Sequence, residues 1–254
     1  MKITNRAIRF ILSLKHQKMI EDFRVLAVIP ARGGSKGVPL KNLRKFQGVP
    51  IVELAARAAC KVAYIDRAVV STDHEGIAEA AEKGGASAPF RRPEELSGDR
   101  ISDLEVLTHA LLEMEDIDRI NYDIVLMLQP TSPLRTKRHI MSTIEMLVRD
   151  KLDAVWTVSE TDSKSHPLKQ LTIVDGSLEY YDEKGKGVIA RQQLQPVFHR
   201  NGIAYAITRD CLLEQSSIKG EKCGAYICDG EHVSIDTEFD FMLADFLCKQ
   251  KIDM

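Results

Sequence analysis

Unbroken apolar runs and helix-period stripes alternate along most of the chain. "VLAVIP" (25–30) is a short continuous apolar run, the pattern of a strand buried on both faces. "RAVVST" (67–72), "DIVLMLQP" (123–130) and "DAVWTVSE" (153–160) repeat that pattern. Helix signals lie between them. "PIVELAARAACKVA" (50–63) opens on a proline, which suits a first helical turn. "HEGIAEAAEKGG" closes on Gly84 and Gly85, a stop signal. In "SDLEVLTHALLEME" (102–115), Ser102 and Glu105 stand at capping-box spacing, and a further helix is predicted from about Thr136 to Arg149. This alternation predicts an α/β fold with a doubly wound, mostly parallel sheet and right-handed crossovers.

The pattern changes after Thr161. Up to Arg200 there is no long helical stripe, and "LTIVDGSLEYYDEKGKG" reads as a hairpin of short antiparallel strands. "GIAYAIT" (202–208) and "GAYICD" (224–229) resume strand character, and "TEFDFMLADFLCKQ" (237–250) predicts a closing helix. The expected organisation is a helical extension over 1–24 and one domain over 25–254, with a hairpin insertion at about 161–200.

Composition narrows the partners. A chain of 254 residues buries a substantial core, and a net charge of −2 argues against nucleic acid. Five scattered cysteines (Cys60, Cys211, Cys223, Cys228, Cys248) suit free thiols in a reducing cytoplasm better than a disulfide framework. Cys223, Cys228 and His232 are close in sequence but lack the C-x-x-C pairing of a zinc site, so a structural role is expected. No apolar run approaches the roughly 18 residues of a membrane span. The basic N-terminus places Ile3, Ala7, Ile11 and Leu14 at helical spacing. Its "FILSL" patch falls short of the ~7 residues of a secretory apolar region, with no A-x-A-like site after it. Such a helix can rest on a membrane surface. A helix packed on the body, or a start upstream of a core chain opening at Met19, are the stronger readings.

The candidate chemistry follows the strands, where doubly wound sheets bind ligands. "IPARGGSKGVPLKN" (29–42) holds three glycines and the basic Arg32, Lys36 and Lys41. It is neither a Walker loop nor the dinucleotide G-x-G-x-x-G. Gly33, Gly34 and Gly37 allow backbone N–H groups to approach phosphate oxygens, with Arg32 and Lys36 supplying charge. An ordinary basic turn explains "RGG" but not the whole string. "STD" (71–73), "QPTSPLR" (129–135) and "SIDTEFD" (234–240) also follow strands and can converge on one crevice. Each has a bland alternative: Ser71, Thr72 and Asp73 as caps of a helix beginning near His74, Arg135 as an ion-pair partner, Asp240 as cap partner of Thr237.

These strings, with "FRRPEELSGD" (90–99), "HPLK" (166–169) and "RQQLQPVFHRNG" (191–202), stand in the order found in acylneuraminate cytidylyltransferases. From about Val25 to Lys249 the chain resembles that family. The related enzyme that activates Kdo carries a first loop resembling "ARxxSxRxPxK", whereas "GGSKG" and "KN" here favour nine-carbon sugars. The resemblance implies a Rossmann-like nucleotidyltransferase fold, a cytoplasmic role in surface glycan biosynthesis, and a homodimer paired through the insertion. It implies that CTP and a nine-carbon 2-keto sugar acid give the CMP-sugar and pyrophosphate, with Mg²⁺. Arg32, Lys36 and Asp236 would be catalytic, with Ser35 beside them on the triphosphate. Lys41, Asn42 and Ser71 would face the nucleotide and Gln129 the sugar. Lys169 and Arg191 would reach the partner's sugar site, where arginine's planar fork suits a carboxylate. Asp236 would place Mg²⁺. The family's "DID" is "SID" here, so Ser234 removes one carboxylate; Mg²⁺ tolerates this when phosphates and water complete its shell. The same chemistry on legionaminic or pseudaminic acid, or a nucleotide-binding homologue without turnover, remain alternatives.

Overall fold

The computed structural model describes residues 20, 22–35 and 37–252. Most of the expected extension over 1–24 therefore lies outside the described residues, as does Lys36. Ile20 is already buried in the core.

The strands, in chain order, are β1 (Val25–Pro30), β2 (Lys45–Phe46), β3 (Val49–Pro50), β4 (Arg67–Ser71), β5 (Ile124–Met127), β6 (Ala154–Glu160), β7 (Leu171–Val174), β8 (Ser177–Tyr180), β9 (Phe198–Thr208) and β10 (Cys223–Ile227). The helices are α1 (Ile51–Cys60), α2 (Glu75–Lys83), α3 (Asp103–Asp118), α4 (Lys137–Asp150), α5 (Arg209–Leu213) and α6 (Glu238–Ile252). Six strands form the main sheet in the order β10-β6-β9-β5-β1-β4. All its neighbours pair in parallel except at β9, which runs antiparallel to both β5 and β6. The doubly wound, mostly parallel sheet expected from the run pattern is the fold observed.

Strand β1 shows why apolar runs without alternation belong inside. Val25, Ala27 and Ile29 join the core under α1, α2 and α4, while Leu26 and Val28 join the core under α3 and α5. Both faces are covered, so no polar position is available. Fully burying each large aliphatic side chain contributes about 1.5–3 kcal/mol. From β1 the chain crosses to β4 on one side, then returns to β5 on the other. That reversal places a topological switch point between β1 and β5, where the loops at the carboxyl ends part and leave a crevice.

Of two local features, the bulge was hard to foresee and the hairpin was expected. Between the pairs Trp156↔Tyr205 and Val158↔Arg200, β6 advances two residues while β9 advances five. Thr157 bridges this bulge: its hydroxyl accepts from the N–H of Ala204 and donates to Asn201 Oδ1. The insertion is the hairpin β7–β8, joined by Asp175 and Gly176, both at positive φ (49° and 81°), as a tight two-residue turn requires. Among the described residues no helix is long and apolar enough to cross a membrane.

Helix α3 begins with a complete capping box. Ser102 Oγ accepts from the N–H of Glu105 at 3.3 Å, and Glu105 Oε2 accepts from the N–H of Ser102 at 2.9 Å. Ser102→Ala should remove about 1 kcal/mol of stability and lower the thermal midpoint by about 2–4 °C, read by a circular-dichroism melt. An unchanged midpoint would show that the cap does not limit unfolding.

Candidate active site at the switch point

Strand β1 ends at Pro30, and the loop that follows folds over its carboxyl end. Two side-chain ties close it. Buried Asn42 donates from Nδ2 to the carbonyl of Arg32 at 3.0 Å, and Ser35 Oγ accepts from the N–H of Lys41 at 3.2 Å. A third tie comes from the strand next door, where Asp73 Oδ1 accepts the N–H of Gly33 at 2.8 Å. Asp73 therefore anchors this loop and does not cap α2, whose N-cap His74 makes no side-chain cap hydrogen bond. It also occupies the Gly33 N–H, one of the groups expected to approach phosphate.

The loop lies against the segment before α6. A Cβ on Gly37 would stand 2.6 Å from the carbonyl oxygen of Asp236, closer than any side chain tolerates. Lys41 Nζ meets Asp236 Oδ1 at 2.8 Å. Buried Ile235 holds the segment from the other side, its N–H donating to the carbonyl of Thr131 at 2.8 Å. Asp240 Oδ2 accepts from the N–H groups of Asp236 and Thr237 and from the Thr237 hydroxyl. Burial pushes the Asp240 carboxyl up, but these three donors outweigh it and hold its pKa below the usual value. The cap-partner reading of Asp240 is the one observed, and it leaves the Asp236 carboxylate pointing outward, 71% exposed.

Gln129 follows β5 and is positioned by the bulge in β9. Gly202 has φ +68°, and a Cβ there would lie 2.3 Å from Gln129 Oε1. Arg135 gathers the carbonyls that the bulge turns out of the ladder. It donates from Nη2 to Gln129 at 2.6 Å and to Gly202 at 3.0 Å, and from Nε to Ile203. Burial draws this guanidinium below its ordinary pKa. Its partners are backbone carbonyls and not the carboxylate that an ion pair would need.

Together these segments line a cleft of about 570 Å³. Pro30, Arg32, Ser35, Gly37, Lys41 and Asn42 come from the first loop, Gln129, Pro130 and Thr131 from the end of β5, and Ser234 and Asp236 from the last segment. The cleft lies at the switch point between β1 and β5. Six of the residues singled out from the sequence, Arg32, Ser35, Lys41, Asn42, Gln129 and Asp236, meet here. Ser71 does not line it. That residue is fully enclosed, and its Oγ and carbonyl both accept from Arg92. Lys169 and Arg191 lie exposed on the insertion, outside the cleft of their own chain.

Three charged wall residues escaped the sequence reading: Arg92, Asp99 and Asp103. Two of them sit inside "FRRPEELSGD", so the string was visible but its orientation was not. Arg91 turns outward to Glu75 at 2.7 Å, while Arg92 turns inward and is buried. Burial draws Arg92 down to about 10, with Asp73 pulling the other way and Arg32 adding to the fall. Burial raises Asp103, and Arg200 and Arg92 pull it back. Arg32 Nη2 pairs with Asp99 Oδ1 at 2.8 Å. The cleft thus combines cations on the first-loop side with carboxylates that hold them in place.

A family model described as cytidylyltransferase matches residues 26–235. The CMP-N,N'-diacetyllegionaminic acid synthase of Legionella pneumophila is 31% identical over 235 residues, covering 88% of this chain and 96% of that protein. The N-acylneuraminate cytidylyltransferase of Escherichia coli is 30% identical over 241 residues, 91% of this chain and 54% of that one. Among solved structures, a CMP:2-keto-3-deoxy-manno-octonic acid synthetase complexed with CTP superposes with a TM-score of 0.64 at 19% identity. It covers 90% of this chain and 99% of its own. At that identity the likeness shows the fold.

The close approach at Gly37 yields a test. Gly37→Ala must push the first loop away from Asp236, and pyrophosphate release from CTP should fall more than tenfold while the melt stays cooperative. Release near the unmodified rate would separate this contact from the chemistry.

Proposed function

The chain belongs to the cytidylyltransferase family, and on that premise we propose that it activates a sialic-acid-like nonulosonic acid with CTP. The observation that carries this reading is the convergence of Arg32, Ser35, Lys41, Asn42, Gln129 and Asp236 from three separate stretches on one cleft. In the proposed reaction the anomeric hydroxyl oxygen of the sugar attacks the α-phosphorus of CTP. The bond from that phosphorus to the bridging oxygen breaks, pyrophosphate leaves, and the hydroxyl proton passes to solvent. Such transfer relies on positioning and on neutralising charge that grows on the departing oxygens. Arg32 and Lys41, with Lys36 of the same loop, supply the positive charge; Ser35 and Asn42 hold the loop that carries it. Gln129 offers an amide to sugar hydroxyls from the β5 side of the cleft.

The donor set fits Mg²⁺. Asp236 is an outward carboxylate on the cleft wall, with the Ser234 hydroxyl two residues away and 3.5 Å from Thr131 Oγ1. A hard cation takes oxygen ligands and keeps several waters, so one carboxylate and the nucleotide's own phosphates complete a shell. Asp236 would hold the ion; when bound, the ion neutralises phosphate charge. Because Lys41 already neutralises Asp236, the pair also keeps that carboxylate from repelling the incoming triphosphate.

The proposal extends to a homodimer in the cytoplasm. The insertion exposes Ile173, Leu178, Tyr181 and Ile189, at 73, 68, 73 and 92%. Apolar side chains clustered so densely on a small hairpin suit a protein interface. A second copy docked there would carry Lys169 and Arg191 toward its partner's cleft. All five cysteines are free thiols, as a reducing compartment favours.

The deciding experiment measures pyrophosphate release from CTP with N-acetylneuraminic, legionaminic and pseudaminic acids. Release with one of them identifies the sugar. No release with any would support a nucleotide-binding homologue that lost turnover, the reading that Ser234 favours. With the active sugar, Asp236→Asn should nearly abolish release at ordinary Mg²⁺, and a Mg²⁺ titration matching the unmodified protein would move the metal elsewhere. For the shared site, mixing Asp236→Asn chains with Arg191→Ala chains should regenerate activity in heterodimers. Self-contained sites would regenerate none.

A further inference from the structure

We propose that His139, Cys228 and His232 form a binding site for a zinc-type transition-metal ion, apart from the nucleotide cleft. Their donor atoms all lie within 4.8 Å of one another. The three come from different elements: His139 from the first turn of α4, Cys228 from the residue after β10, and His232 from the loop toward Ser234 and Asp236. His139 and Cys228 are buried and His232 is half-buried. The sequence reading paired Cys223 with Cys228 and His232; the fold substitutes His139, nearly ninety positions upstream.

The donor chemistry selects the ion. Two imidazole nitrogens and one sulfur suit a borderline-soft cation such as Zn²⁺, whereas Mg²⁺ and Ca²⁺ take oxygens. Cys228 and His232 close a short chelate loop that turns at Gly230, with φ +82°. His232 Nε2 stands 3.1 Å from the carbonyl of Asp229, which only accepts, so Nε2 carries the proton and Nδ1 the lone pair. A carbonyl in that position is the usual outer partner of a metal-bound histidine. The backbone of Cys228 is held by its own N–H, which donates to the carbonyl of Val158 at 2.9 Å.

Ligand atoms around tetrahedral zinc stand about 3.4–3.6 Å apart, so binding draws the group together by up to about 1.4 Å. The Cys228 thiol loses its proton to solvent as the metal–sulfur bond forms, and both histidines bind neutral. A metal on Nε2 of His139 moves that ring's proton to Nδ1 and ends the 3.3 Å contact with the N–H of Thr136. The cap itself survives, since Thr136 Oγ1 still accepts from the N–H of His139. Water takes the fourth position. The ion would tie the loop bearing Ser234 and Asp236 to α4. Only this consequence for Asp236 rests on the cytidylyl-transfer reading; the metal site does not.

The test uses the full chain without a histidine tag, stripped by dialysis against a chelator. Zn²⁺ competed against a chromophoric chelator should bind at one ion per chain, and Co²⁺ should give a thiolate charge-transfer band. Cys228→Ser should lose the band and weaken zinc by on the order of 100-fold or more, and His232→Gln should weaken it comparably. Metal-free melts of both variants that match the unmodified protein would show that binding, not folding, is lost. The proposal is overturned if the chain takes up no zinc at micromolar concentration, or if both variants bind it unchanged. The edge-to-face contact of the two histidine rings, with centroids 5.1 Å apart, would then be packing alone. Pyrophosphate release is measured separately with Mg²⁺, so either reading can fail without the other.

Discussion

Strand β1 has neither an exposed face nor a free edge. Its ladder groups pair with β4 on one side and β5 on the other, and helices cover its apolar side chains above and below. A chain so enclosed must leave at the carboxyl end, where β4 and β5 also leave. Polar loops from all three are forced into one place, because buried backbone cannot be left without partners. The cleft is the consequence. Its first loop carries positive charge, and the neighbouring strand's Asp73 and Asn42's buried amide fix that loop before any ligand arrives.

Fixing a charged loop in a partly buried cleft has a cost, and the molecule distributes it. Arg92 is buried with hydroxyl and carbonyl partners at Ser71, and its pKa falls through desolvation while Asp73 opposes the fall. Arg32 is held by Asp99 and Lys41 by Asp236. Under the proposed reading, cations already held in place by carboxylates need little rearrangement when a polyanion arrives, which is what preorganisation means for such a site. Both ion pairs have a solvent-open carboxylate, Asp99 or Asp236, so solvent screens them and their contribution to stability is small.

The far wall depends on a different constraint. β9 runs against its neighbours and carries three more residues than β6 across the bulge. The carbonyls freed by this mismatch find Arg135, and the backbone at Gly202 comes so close to Gln129 that only glycine fits. Gln129 is therefore placed by Arg135, six residues on, and by the Gly202 backbone, which is remote from it in sequence. The last segment, 228–240, is similarly composite: Ile235 anchors it in the core, Asp240 caps the following helix, and His232 meets His139 across the gap.

Much of this was written locally. Unbroken apolar runs at 25–30, 68–70 and 124–127 announce strands covered on both faces, since no polar residue survives there. Ser102 with Glu105, and Asp175 with Gly176, specify a helix start and a hairpin turn from a few bonds each. The strings after the strands marked Arg32, Ser35, Lys41, Asn42, Gln129 and Asp236, because ligand chemistry needs side chains that a connector does not. Direction was not local. Nothing in "FRRPEELSGD" says that Arg91 turns to Glu75 while Arg92 turns inward to Ser71, since each choice depends on a partner elsewhere in the chain. Strand order, the antiparallel course of β9 and the meeting of His139 with Cys228 and His232 were likewise settled by packing. Those are pairings between distant residues, and no short window of sequence contains both members.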